Sequence, residues 1–170
     1  VESLLARLPA IELLVNSAAN FTRESLGEVT FDSFDETFAL NVRAPFFLAQ
    51  QLGLRMKERG FGRIVNMADI AAMIPWPAYL PYSMSKAAIV AMTKGLAKAL
   101  APVVLVNAVA PGPVLLPSDF DDAERKAAVE PTLLKREGTP EEVARTVVFL
   151  MQSDYITGVT LPVDGGRLLR

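Results

Sequence analysis

Apolar residues recur with two different periods along this chain. Short runs at Ile11 to Val15, around Ile64 and Val65, at Val103 to Val109 and at Val159 to Val163 have the length and β-branched character of buried parallel strands. Between them, apolar residues return at three- and four-residue steps, which predicts helices. One covers about Ser33 to Arg59, with Phe34, Phe38, Val42, Phe46 and Leu52 on a broad apolar face and a bend expected at Pro45. A second covers about Tyr82 to Leu100 and stops before Ala101-Pro102. A third starts at Thr139-Pro140-Glu141-Glu142, where a capping Thr, a first-turn Pro and acids at the positive dipole end coincide, and runs to about Gln152. Ser3 to Leu8 reads as the last turns of a further helix, closed by Pro9. The polar stretch from Leu115 to about Pro131 reads as a solvated loop with a short helix. Strands alternating with helices predict a parallel α/β sheet in a single domain over residues 1–170. Such a sheet binds ligands at the carboxyl ends of its strands, where Asn16, Asp69 and Pro111 fall.

Composition narrows the chemistry. With 51% hydrophobic residues, 21% charged and a net charge of −2, the chain has the apolar mass for a real core and no basic footprint for nucleic acid or an anionic membrane. It has no Cys, which fits a reducing cytoplasm, and no His. Ser-His and Cys-His nucleophiles and the usual zinc ligand sets are thereby excluded, and no metal is expected. Proton chemistry falls to Asp, Glu, Lys or Tyr. Tyr82 and Lys86, four residues apart on one helix, share a face, and an ammonium beside a phenol favours the phenolate. Asp69, at the end of the preceding strand, is placed to join them.

Tyr-x-x-x-Lys opening a helix, after a strand ending Asn66-Met67-Ala68-Asp69, resembles the short-chain dehydrogenase/reductase family. Asp69 stands where that family usually has Ser, and with Phe21 it resembles the pteridine reductase branch. The resemblance implies a Rossmann-like, doubly wound parallel sheet and NADPH-dependent reduction of a dihydropteridine or dihydrofolate. In that reading Tyr82, Lys86, Asp69 and Asn41 are catalytic, Asn41 through a helix distortion that holds a water. Asn16, Ser17, Ala18, Tyr82, Lys86, Pro111, Gly112 and Val114 meet the cofactor. Phe21, Asp69, Tyr79, Tyr82 and Trp76 line the pterin side. Leu116 replaces a Thr that the family often uses to bind cofactor, and Asp164-Gly165-Gly166 resembles the family's C-terminal turn. A homotetramer is implied.

The Gly-rich phosphate turn of the family does not occur here, and Gly60-Phe61-Gly62 precedes a strand instead of following one. The chain therefore reads as the C-terminal two-thirds of such an enzyme, without the first βαβαβ portion. Two other readings stay open. One is a dehydrogenase acting on a carbonyl or hydroxyl substrate, against which an ionised Asp69 counts, because it cannot donate a hydrogen bond. The other is an inactive fragment that binds partner subunits.

Overall fold

The structure is a computed structural model and describes residues 10–170; the helix expected at Ser3 to Leu8 lies outside the described residues. In chain order the elements are β1 (Leu13–Asn16), α1 (Phe31–Phe38), a π-helical turn (Ala39–Arg43), α2 (Ala44–Arg59), β2 (Gly62–Met67), a 3-10 turn (Ile70–Ala72), α3 (Leu80–Leu100), β3 (Val104–Pro111), α4 (Asp122–Val129), α5 (Pro140–Gln152), β4 (Thr160–Val163) and a second 3-10 turn (Arg167–Leu169). The four strands form one parallel sheet in the order β1-β2-β3-β4. Register pairs Asn16 with Asn66, Met67 with Val109 and Pro111 with Val163, so the functional ends of the strands lie side by side.

Alternation within β2 explains the two layers of helices. Ile64 points into a cluster with Val104, Val106, Leu52 and Met56 of α2, and Leu96 and Leu100 of α3. Val65, its neighbour, points the other way, to Val109 and to Val143 and Leu150 of α5. Both faces of the central strands are buried, which is why they read as continuous apolar runs. Among the described residues β1 and β4 are the edges, and on β1 Leu13 and Val15 are about half exposed. The strand order runs in one direction, so no reversal of order lies among the described residues.

Two expectations needed correction. The long helix is not one helix bent at Pro45. Pro45 has no N–H to give the carbonyl of Asn41, and its ring crowds that position. The chain answers with a wide turn at Ala39–Arg43, in which the N–H of Ala44 bonds Ala39 O, and Pro45 sits in the first turn of α2. The Tyr82 helix starts earlier, at Leu80, because Pro81 belongs to its first turn instead of the loop before it. The short helix expected between Leu115 and about Pro131 is α4, and its start is well formed: Asp121 accepts from Glu124 N, and the Glu124 side chain accepts from Asp121 N.

Candidate active site

β2 ends at Met67, and two residues on, Asp69 caps the 3-10 turn through Oδ1, which accepts from Ala71 N at 2.7 Å. That bond fixes the carboxyl group so that Oδ2 faces α3, where it accepts the Tyr82 hydroxyl at 2.8 Å. One turn along α3, Lys86 Nζ reaches back to Met67 O at 2.9 Å. Three groups that the sequence placed near one another are thus joined through the end of one strand and the start of one helix. Tyr82 is 7% exposed and Lys86 5%.

Burial dominates the protonation of all three. It raises the Asp69 carboxyl above its ordinary value against the opposing pull of Ala71 N–H, Tyr82 and Lys86. It raises the Tyr82 phenol further, with help from the Asp69 charge and hydrogen bond. It lowers the Lys86 ammonium, which Asp69 partly restores. The expectation that Lys86 favours the Tyr82 phenolate is therefore corrected. The ammonium is committed to a backbone carbonyl and lies 5.5 Å from the ring centroid, whereas the hydroxyl is held by an acid.

Asn41 is 2% exposed and sits in the π turn. Its Oδ1 accepts from Asn20 N at 2.9 Å, and its Nδ2 donates to Asn20 O and to Ser85 Oγ, each at 3.1 Å. Ser85 Oγ in turn donates to Tyr82 O. The Asn41 side chain therefore ties the loop after β1 to α3.

At the end of β1, Asn16 Nδ2 donates to Asn66 Oδ1 at 2.9 Å, and Asn66 Nδ2 continues to Thr93 Oγ1 on α3. Ser17 and Ala18 are exposed beyond it. Phe21 stacks on Tyr79 with centroids 4.2 Å apart and meets Tyr82 edge-on at 4.7 Å; Trp76 stands 6.2 Å from both Phe21 and Tyr79. Past Pro111, Gly112 N donates to Val163 O, and a Cβ at Gly112 would stand 2.7 Å from Asp164 Cα. Only Gly lets the two strand ends approach this closely. Val114 bridges Gly138, and Leu116 N donates to Glu137 Oε1.

These residues surround a cavity of about 490 Å³, within the usual range for small-molecule sites. Asp69, Tyr82, Phe21, Tyr79 and Trp76 form one wall, and Gly112 to Pro117 with α4 the other. Asn16, Ser17 and Ala18 do not line it, nor do Lys86 and Asn41. Sequence reasoning missed Arg23, Glu124 and Arg167, which do line it. Arg23 and Glu124 carry no local signal, because 101 residues separate them before they pair at 2.8 Å. Arg167 had one, since it directly follows the Asp164-Gly165-Gly166 turn.

The residues present suit a nicotinamide dinucleotide. Lys86 gives one N–H to Met67 O, and the donors that remain on its ammonium match a sugar diol. Asn16 and the Gly112–Val114 backbone stand at the carboxyl ends of β1 and β3, on either side of β2, where parallel sheets hold such ligands.

Known proteins resemble this chain over nearly its whole length. The family described as Enoyl-(Acyl carrier protein) reductase matches residues 1–167. Dehydrogenase/reductase SDR family member 4 of Pongo abelii is 40% identical over 166 residues, covering 92% of this chain and 59% of the relative. The 3-oxoacyl-[acyl-carrier-protein] reductase FabG of Rickettsia felis is 35% identical, covering 98% and 71%. Among solved structures, FolM Alternative dihydrofolate reductase 1 from Brucella suis, in complex with NADP, superposes with a TM-score of 0.89 at 32% identity, covering all of this chain and 69% of that one.

Proposed function

The chain belongs to the short-chain dehydrogenase/reductase family, and from that premise we propose that it serves NADPH-dependent reduction of a dihydropteridine or dihydrofolate. The observation that carries this reading is the Asp69–Tyr82 hydrogen bond at 2.8 Å beneath an aromatic wall. A pterin is a flat heteroaromatic with adjacent donors and acceptors on its edge. Phe21 and Tyr79 offer it apolar surface, and Asp69 offers a carboxyl group matched to an N–H edge.

When bound, NADPH supplies a hydride to the ring. Lys86 would hold its ribose, and Asn16 and the Gly112–Val114 backbone would flank the rest. Tyr82, whose raised phenol stays protonated, gives its proton to a ring nitrogen. Asp69 orients that hydroxyl and holds the substrate edge, and Ala71 N–H keeps its carboxyl in place. Asn41 and Ser85 act as positioning residues: they fix the backbone of Tyr82 against the loop that carries Phe21.

A second reading, reduction of a carbonyl substrate, is favoured by the 3-oxoacyl reductase among the relatives. Burial of Asp69 weakens the objection to it, because a protonated carboxyl can donate. Against it, both Asp69 oxygens accept in this structure, one from Ala71 N and one from Tyr82. The readings separate in one assay of the full-length protein: NADPH consumption with dihydrobiopterin and with a 3-oxoacyl thioester. Faster turnover of the pterin is expected; turnover of the thioester alone would give the site to the second reading.

A further inference from the structure

Four side chains that carry or can carry charge line the cavity: Asp69, Arg23, Glu124 and Arg167. Asp69 is engaged by Ala71 N–H and the Tyr82 hydroxyl. Arg23 and Glu124 neutralise each other at 2.8 Å, both partly in solvent, across the rim between the loop after β1 and α4. Arg167 is different. Among the described residues its guanidinium has no ion-pair or hydrogen-bond partner, yet Arg167 lines the same cavity.

The backbone beneath Arg167 is held with unusual care. Asp164 Oδ1 accepts from Gly166 N at 2.9 Å, and Oδ2 from Leu168 N at 2.8 Å, so one carboxylate brackets the residue on both sides. Gly165 and Gly166 turn through positive φ, +60° and +77°, and Gly165 O accepts from both Leu133 N and Leu134 N. A side chain at Gly166 would meet Leu133 at 2.8 Å. The Asp-Gly-Gly turn therefore delivers the Cα of Arg167 to a fixed place beside the cavity. A cation carried on a fixed backbone, without a counter-charge among the described residues, is complementary to an anionic group on whatever fills the space.

We propose that Arg167 is the anion-recognising residue of this pocket, and that the substrate carries a carboxylate on an arm joined to its reacting ring. The proposal rests on the pteridine reading above, where it selects a folate-type substrate with a glutamyl arm over one with a short neutral chain. Arg23, already paired, sets the rim and is not the anchor.

The test is a two-substrate comparison on the full-length protein and its Arg167→Leu, Arg167→Lys and Arg23→Leu variants. Wild type is expected to favour dihydrofolate over dihydrobiopterin in kcat/KM. Arg167→Leu should lower the dihydrofolate value about tenfold or more through KM, in line with loss of one charge-assisted bond. Dihydrobiopterin and the KM for NADPH should stay within about twofold, and Arg167→Lys should recover part of the loss, since it restores the charge without the fork. Arg23→Leu should leave the preference in place. Equal losses on both substrates, a raised KM for NADPH, or no preference in wild type would overturn the assignment while leaving the pteridine reading intact. If neither pterin is reduced, the pteridine reading fails, and the anion site is decided by calorimetric binding of p-aminobenzoylglutamate. Binding to wild type that Arg167→Leu abolishes sustains it; binding that is absent or unchanged refutes it.

Discussion

Asp69 accepts on both oxygens, and its burial favours the protonated form. The native state therefore keeps this proton to higher pH than the unfolded chain does. Its contribution to stability is full below the unfolded carboxyl value near 3.8 and is lost as pH rises through the raised native value. Asp69→Asn removes that loss. Denaturant unfolding across a pH series should show the variant gaining on wild type as pH rises through this window; parallel curves would show that Asp69 does not titrate with folding. Much at this scale was legible. Tyr82, Lys86 and Asp69 could be grouped because helix periodicity and strand ends place side chains predictably. The direction of their electrostatics was not, because spacing does not reveal that Met67 O would capture Lys86 or that burial would hold the phenol neutral. Asn41 was legible as a residue of interest, yet its partners Asn20 and Ser85 come from two other segments and could be seen only in the fold.

The elements show the same division. Helix α5 begins where the sequence says, because Thr139 and Glu142 form a reciprocal cap that is a local signal. Thr139→Ala should cost about 1 kcal/mol in unfolding free energy, without change in substrate preference. The π turn was not foreseen, since Pro45 announces a disturbance but not whether the chain will kink or widen. The approach of β3 to the end of β4 was equally hidden. Gly112→Ala places a methyl 2.7 Å from the Asp164 backbone, so the strand ends must part. That should destabilise by about 1–3 kcal/mol and, because the same ends carry Val114 and the Arg167 turn, raise the KM for NADPH and for substrate together. A stability loss with unchanged KM values would mean the two ends do not position the site.

For the whole molecule, the alternation of buried strands and helices was enough to predict a parallel α/β sheet, and the sheet is parallel with helices on both faces. Strand order was not readable from it. No helix among the described residues is long and apolar enough to cross a membrane. The outer faces of α2 and α5 nonetheless keep large apolar residues in solvent, Phe47 at 43%, Val148 and Phe149 at 52%. We propose that these faces join copies into a homotetramer. Analytical ultracentrifugation of the full-length protein should give four chains per particle, and Phe149→Glu should lower that number; a monomer in wild type would contradict it. The central claim concerns Asp69, and it is tested most directly by NADPH oxidation with dihydrobiopterin, wild type against Asp69→Ser. Turnover in wild type with at least about a hundredfold loss in the variant is the predicted result. Equal pterin turnover in both proteins, or a variant that gains on the pterin, would contradict it.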